Sequence, residues 1–101
     1  MNVSGTVNGL SIFPGEYAWI TVENVRSKER QQKATLYVQP HTWRFDLEPG
    51  SYRILITAGV GDYTFFPECF EVVVTNDGTI VLPNQEVLTG DLMFRASLNS
   101  R

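Results

Sequence analysis

Hydrophobic and polar residues alternate along most of this chain, and the alternation predicts β-strands rather than helices. Between residues 17 and 25, the aliphatic residues Ala18, Ile20 and Val22 alternate with polar and aromatic ones. Because successive side chains of a strand point to opposite faces, this aliphatic set is expected to face a core. The shorter alternation of residues 3–7 predicts a strand before it.

Further alternating segments follow, separated by turns rich in proline and glycine; they cover residues 34–39, 43–48, 52–58, 70–74 and 79–82. The clearest is a hairpin in which Pro49-Gly50 separates two alternating runs, since proline presets φ and glycine permits a tight turn. The pattern predicts an all-β protein: a single antiparallel β-sandwich of about seven strands, prealbumin-like or immunoglobulin-like, with helix content near zero.

The chain of 101 residues is the length of one domain. Residues 1–83 hold the predicted sandwich, and residues 84–101 stay too apolar for a free tail. Their apolar run Leu92, Met93 and Phe94 is a candidate oligomerisation arm. Two alternatives are open: an additional edge strand on the same domain, or an arm that pairs with a neighbouring subunit's sheet edge.

Charge excludes some function classes. The net charge is −3, yet half of the eight basic residues lie in one short segment predicted to be a solvated hairpin loop: Arg26, Lys28, Arg30 and Lys33. An acidic body with one basic loop argues against nucleic-acid binding. No apolar run approaches the roughly 20 residues of a membrane-spanning helix, so no membrane partner is expected. The N-terminus resembles no signal peptide, which predicts cytoplasmic synthesis, with a virion as one destination.

Candidate chemistry is sparse. His41, the only histidine, is predicted to be a surface turn residue, and one imidazole cannot make a typical zinc site. Cys69, the only cysteine, has acidic and apolar neighbours and is interpreted as a packed thiol. The sequence therefore predicts no catalytic residue, no metal and no cofactor.

Aromatic residues give the more informative candidates. If the second and third strands pair around the charged segment, Tyr17, Trp19 and Tyr37 share the outward face and form a candidate binding face for a protein or a sugar ring. The alternative, that residues 10–16 or the C-terminal arm cover Trp19, stays open. Phe65 and Phe66 form a candidate contact loop.

The order of segments resembles the transthyretin-like sandwich of carboxypeptidase regulatory-like and collagen-adhesin B-type domains. The residues that carry the resemblance are Val3-Ser4-Gly5-Thr6-Val7, Ala18-Trp19-Ile20-Thr21-Val22, Phe45-Asp46-Leu47-Glu48-Pro49-Gly50-Ser51-Tyr52-Arg53-Ile54 and Phe70-Glu71-Val72-Val73-Val74. Small sandwich domains of phage tail fibres are similar at the level of fold. These families share scaffolding and binding roles, so the resemblance implies a protein that is not an enzyme.

Two functional hypotheses follow. The first is a structural or assembly protein that self-associates as a homo-oligomer or decorates a larger assembly such as a virion. The second is a carbohydrate-binding or adhesion module that uses the aromatic face.

Overall fold

The computed structural model describes residues 1–10, 16–38 and 40–99, and these contain nine β-strands and no helix. The strands are β1 (Asn2–Asn8), β2 (Ala18–Asn24), β3 (Arg30–Ala34), β4 (His41–Asp46), β5 (Gly50–Ala58), β6 (Tyr63–Phe66), β7 (Cys69–Val74), β8 (Ile80–Val81) and β9 (Leu92–Leu98). None of the described segments forms a helix that could cross a membrane.

The strands form two sheets. One has four strands in the order β4-β1-β9-β6, and the other has five in the order β3-β2-β5-β7-β8. The predicted all-β sandwich is confirmed. Every pair of strands is antiparallel except β1 and β9, which run parallel. These two strands come from opposite ends of the chain, so no hairpin fixes their relative direction.

The core lies between the sheets and contains the residues that the alternation assigned to it. Ile20 and Ile54 are 0% exposed and Val72 is 2% exposed. Phe45 from β4 and Phe94 from β9 complete the core from the four-stranded sheet. Burying a side chain of this size stabilises the fold by about 1.5–3 kcal/mol.

The third strand was predicted in the wrong place. The alternation suggested residues 34–39, but the strand is β3, and Leu36 is 53% exposed. A tight turn decides the register, because Lys28 takes a left-handed φ of 66° and its amide donates to the Asn24 carbonyl oxygen at 2.8 Å. The polar residues of β3 are thereby placed opposite β2, and the apolar residues after them lie beyond the strand.

Residues 35–38 and Pro40 instead lie between β3 and β4, the edge strands of the two sheets. The Thr35 amide donates to the Ala18 carbonyl oxygen at 2.8 Å, and the Leu36 amide donates to the Thr42 carbonyl oxygen at 3.2 Å. The chain thus leaves the edge of one sheet and enters the edge of the other.

The C-terminal segment contributes an interior strand. β9 lies between β1 and β6, and its side chains Leu92 and Phe94 are buried in the core of the same chain, whereas Met93 faces outward. Phe65 and Phe66 do not lie in a loop, as the sequence predicted, because both residues belong to β6. β6 pairs with β9, and its two phenylalanines point to opposite sides of the sheet. Phe65 is buried in the core, and Phe66 is exposed.

Candidate binding surface

Among the described residues, the outer face of the five-stranded sheet carries both paired charges and an exposed aromatic ring. It is called here the outer sheet face. The outward side chains of its four longest strands are Arg30, Gln32 and Ala34 of β3, Trp19, Thr21 and Glu23 of β2, Arg53, Leu55 and Thr57 of β5, and Glu71 and Val73 of β7. In β2, β5 and β7 they alternate with buried residues, which fixes their direction. In β3 all residues are exposed, and the direction follows from the register with β2.

A row of alternating charges crosses this face. In the strand register, Glu23 lies opposite Arg30 on one side and opposite Arg53 on the other, and Arg53 lies opposite Glu71. The Arg30 Nε donates to the Glu23 Oε2 at 3.0 Å, and the Arg53 Nη1 lies 3.8 Å from the Glu23 Oε1. The order across four strands is therefore positive, negative, positive, negative.

Glu23 is the covered member of this row. It is only 7% exposed, while Arg30 and Arg53 remain exposed. A carboxylate that is nearly removed from water needs counter-charges, and the two guanidinium groups supply them. The charge row is therefore part of the surface's structure and not a set of free side chains.

Trp19 lies at one end of the face. Its indole is 36% exposed and its cross-strand neighbours are the small residues Ala34 and Thr57, which leave the ring accessible. Tyr17 packs edge-on against it, with ring centroids 5.7 Å apart. The Tyr17 ring itself lies where a Cβ on Gly59 would be, so only glycine fits there. Of the three aromatic residues predicted to share this face, Tyr17 and Trp19 therefore lie together in the structure.

The other end of the face is an open groove of about 510 Å³, lined by Val25, Val73, Val81, Leu82 and Pro83 among others. Val73 is 42% exposed and Val25 is 38% exposed. Apolar surface at both ends and charges between them are typical of protein contact surfaces.

The sequence predicted that Tyr37 belongs to this surface, and this prediction is wrong. It is 64% exposed but lies after β3, in the segment that crosses between the sheets, and not on a strand beside Trp19. The expectation rested on a third strand that extended to residue 39, and Gln39 itself lies outside the described residues. The alternative in which residues 10–16 cover Trp19 concerns residues that lie mostly outside the described part of the chain.

The basic segment is only partly the hairpin loop that the sequence predicted. Arg26 and Lys28 lie in the turn after β2, but Arg30 and Lys33 belong to β3. Lys33 lies opposite Ile20 and so points toward the inner side of the sheet. Its Nζ donates to the Arg44 carbonyl oxygen at 3.1 Å and lies 5.0 Å from the centre of the Phe45 ring. The segment is therefore half turn and half edge strand.

Sheet edges are protected against the addition of another strand. On one side of the sandwich, Lys33 and the Leu36 amide occupy two carbonyl groups of β4. On the other side, β6 has four residues and is followed directly by Pro67, and β8 has two residues. Inward-pointing charges, short edge strands and proline all disfavour strand addition, so a partner is expected at a sheet face and not at an edge.

The predicted surface position of His41 is wrong. It is the first residue of β4, it is 2% exposed, and its Nε2 has no hydrogen-bond partner among the described residues. Cys69 is half-buried. Within residues 1–10, 16–38 and 40–99, no group of three or more histidine, cysteine, aspartate or glutamate side chains could hold a metal ion.

Sequence reasoning missed the charge row, because its four members come from four strands and meet only through the register. The comparisons found no family model that matches the chain, and no curated protein or solved structure that is similar enough to match it.

Proposed function

We propose that this protein is a non-enzymatic assembly module, a β-sandwich that self-associates or joins a larger assembly such as a virion through its outer sheet face. The observation that carries the proposal is the composition of this face, with exposed Trp19 and Val73 on either side of a row of charges. Tryptophan and arginine are enriched among the residues that dominate the energetics of protein interfaces.

Two further features support contact through a face. The sheet edges are short or occupied, which leaves the faces as the available surface for a stable contact. The outer face of the four-stranded sheet also exposes apolar residues, Phe66 and Met93, but its β1 residues Ser4, Thr6 and Asn8 are polar and no row of paired charges crosses the described part of it. The resemblance to transthyretin-like domains and to tail-fibre sandwiches agrees with a scaffolding role, by analogy of fold.

Sedimentation velocity between 10 µM and 1 mM, concentrations chosen to span weak protein contacts, tests self-association. We expect the wild type to associate, and Trp19→Ala and Val73→Asp to associate at least tenfold more weakly. Met93→Asp is the matched control, since Met93 is 45% exposed on the other sheet. The identity of the genes that neighbour the coding gene tests whether the protein joins a larger assembly. A monomer at every concentration, combined with neighbouring genes unrelated to any structural assembly, would overturn the proposal.

A carbohydrate-binding module is the second candidate, and the accessible Trp19 ring favours it. Polar side chains that could donate to sugar hydroxyls stand nearby, since Thr57 is opposite Trp19 and Gln32 donates to the Thr21 hydroxyl at 3.2 Å. A glycan array followed by titration of tryptophan fluorescence, with Trp19→Ala as the comparison, tests it. No response at millimolar sugar would remove this candidate.

A further inference from the structure

We infer that the partner of the outer sheet face is a second copy of this chain, placed face to face about a two-fold axis that runs parallel to the strands between β2 and β5. This inference rests on the proposed function and specifies its partner and geometry. The observation behind it is the sign order of the charge row across β3, β2, β5 and β7.

An even row of alternating charges is complementary to its own reversed copy. A two-fold axis parallel to the strands reverses the order of strands in the facing copy. β3 then lies over β7 of the second copy, and β2 lies over its β5. Arg30 faces Glu71 of the other copy, and Glu23 faces its Arg53, so each register position lies over a residue of opposite charge. Because Glu23 is covered and already paired within its own chain, the new ion pairs are those between Arg30 and Glu71, which occur twice in the dimer.

The other simple arrangement is disfavoured. A two-fold axis that lies between the sheets, perpendicular to the strands, places each strand over its own equivalent. Where that axis passes through the charge row, Arg30 faces Arg30 and Glu71 faces Glu71, and where it lies elsewhere the two rows do not meet at all. Like charges brought together in an interface strongly disfavour that arrangement. The charge row therefore selects one of the two arrangements.

The dimensions permit this contact. Sheets that pack face to face lie about 10 Å apart and cross at about 30°. Arg30 is about 7 Å from the axis, since neighbouring strands are about 4.8 Å apart, and the crossing displaces it from its partner by only about 4 Å. An arginine side chain spans both distances when it meets a glutamate. The Arg30 side chain is 62% exposed, and its contact with Glu23 is made through Nε, so the two Nη atoms are the groups that would bond Glu71 of the other copy.

The area predicts a weak dimer. The four overlapping strands at about 4.8 Å spacing and about seven residues at 3.3 Å give roughly 450 Å² per copy, or about 900 Å² in total. That total is at the low end for specific interfaces, which corresponds to weak or transient association. Trp19 and Thr21 lie over Thr57 and Leu55 of the second copy in the same arrangement, so the contact also covers part of the exposed indole.

A charge exchange tests the geometry. Within one chain, Arg30 and Glu71 are three strand spacings apart, about 14 Å, so they cannot pair with each other. We expect Arg30→Glu and Glu71→Arg each to weaken the dimer at least tenfold, because each change occurs twice in a symmetric dimer. The double variant Arg30→Glu/Glu71→Arg should recover to within about threefold of the wild type by sedimentation equilibrium at low salt.

Two controls separate this effect from misfolding. Arg95→Glu changes the same charge on the exposed outer face of the other sheet and should leave dimerisation unchanged. Arg30→Glu also removes the Arg30–Glu23 ion pair. If it fails to fold, the series wild type, Glu71→Gln and Glu71→Arg replaces it, since Glu71 forms no ion pair with any described residue. Dimer affinity should fall stepwise along that series.

The outcomes distinguish this inference from the proposed function. If the charge variants leave association unchanged, this dimer is overturned. The proposed assembly module is then tested by whether the Trp19 and Val73 variants weaken association. A wild type that is monomeric up to 1 mM also overturns the dimer, and the genomic neighbourhood alone then decides the assembly role. Loss in the single variants with recovery in the double variant supports the dimer.

Discussion

Gly5 of β1 and Trp43 of β4 are directly opposite each other, and the indole occupies the space that any side chain on Gly5 would need. A Cβ at Gly5 would lie 2.6 Å from the Trp43 Cε2 and would also collide with the Leu92 carbonyl oxygen. The Trp43 ring centre lies 6.2 Å from that of Phe45 and 6.1 Å from that of Phe94. The missing side chain therefore lets one large ring join the core cluster.

Gly5→Ala should destabilise the fold, because the added Cβ would meet the Leu92 carbonyl oxygen of β9 as well as the Trp43 ring, and a backbone atom cannot give way as a flexible side chain can. Overpacking of this kind costs about 1–3 kcal/mol. Urea unfolding would measure the loss, with Thr6→Ala on the outward side of the same strand as the control. In a double-mutant cycle, Trp43→Phe should reduce the cost of Gly5→Ala. Equal stability of Gly5→Ala and the wild type would contradict this view of the contact.

Tyr52→Phe should lower stability by about 1 kcal/mol, the net value of one buried hydrogen bond. The Tyr52 hydroxyl donates to the Glu48 carbonyl oxygen at 2.7 Å and holds the Pro49-Gly50 turn against β5. A loss of that size lowers the melting temperature by about 4–8 °C in a domain of this size. Tyr37→Phe is the comparison, since its exposed ring leaves the hydroxyl in water. A similar loss in both variants would argue against a specific role for this bond.

Lys33→Val should increase aggregation on heating, whereas Lys33→Arg should not. The charge of Lys33 points inward at the edge strand β3 and occupies a carbonyl group of β4. Valine would remove the charge and leave an apolar edge that another strand can join. Light scattering during a temperature ramp would measure this. The explanation fails if the valine and arginine variants aggregate alike.

Asp77 should make stability depend on pH in the acid range. Hydrogen bonds from the Thr75 and Thr79 side chains hold the pKa of Asp77 below its usual value of 3.8. Because the folded pKa is the lower one, this stabilisation is present above pH 3.8 and is lost as the pH falls through the folded pKa.

Melting temperatures between pH 2 and 6 would test this, a range chosen to span carboxylate titration. The wild type should be more stable than Asp77→Asn at pH 6, and the difference should shrink toward pH 2. Glu68→Gln, which changes an exposed carboxylate outside this turn, should show no comparable trend. A constant difference between the wild type and Asp77→Asn would contradict the prediction.

Most of the core could be predicted from the sequence. Alternation placed Ile20, Ile54 and Val72 inward, and each is buried as expected, because the direction of a strand side chain follows from its parity alone. Parity gave the wrong result after Lys33. The segment Ala34-Thr35-Leu36-Tyr37-Val38 alternates as clearly as a strand does. The tight turn after β2, however, makes the polar residues before this segment form β3 and pair with β2.

The candidate surface was only partly predictable. Trp19 and its contact with Tyr17 follow from local spacing, whereas Tyr37 was misplaced together with the third strand. The partnership of Glu23 with Arg30 and Arg53 has no sequence signal, since a charged residue on a strand does not say which residues face it.

The sequence by itself determined the all-β class, the inward face of most strands and the Pro49-Gly50 hairpin, because side-chain parity and turn chemistry are local properties. Only the tertiary structure decided that β9 lies between β1 and β6, that His41 is buried, and that four charges from four strands form one row. Those features depend on which strands pair and in what register, and pairing is set by contacts between residues far apart in the chain.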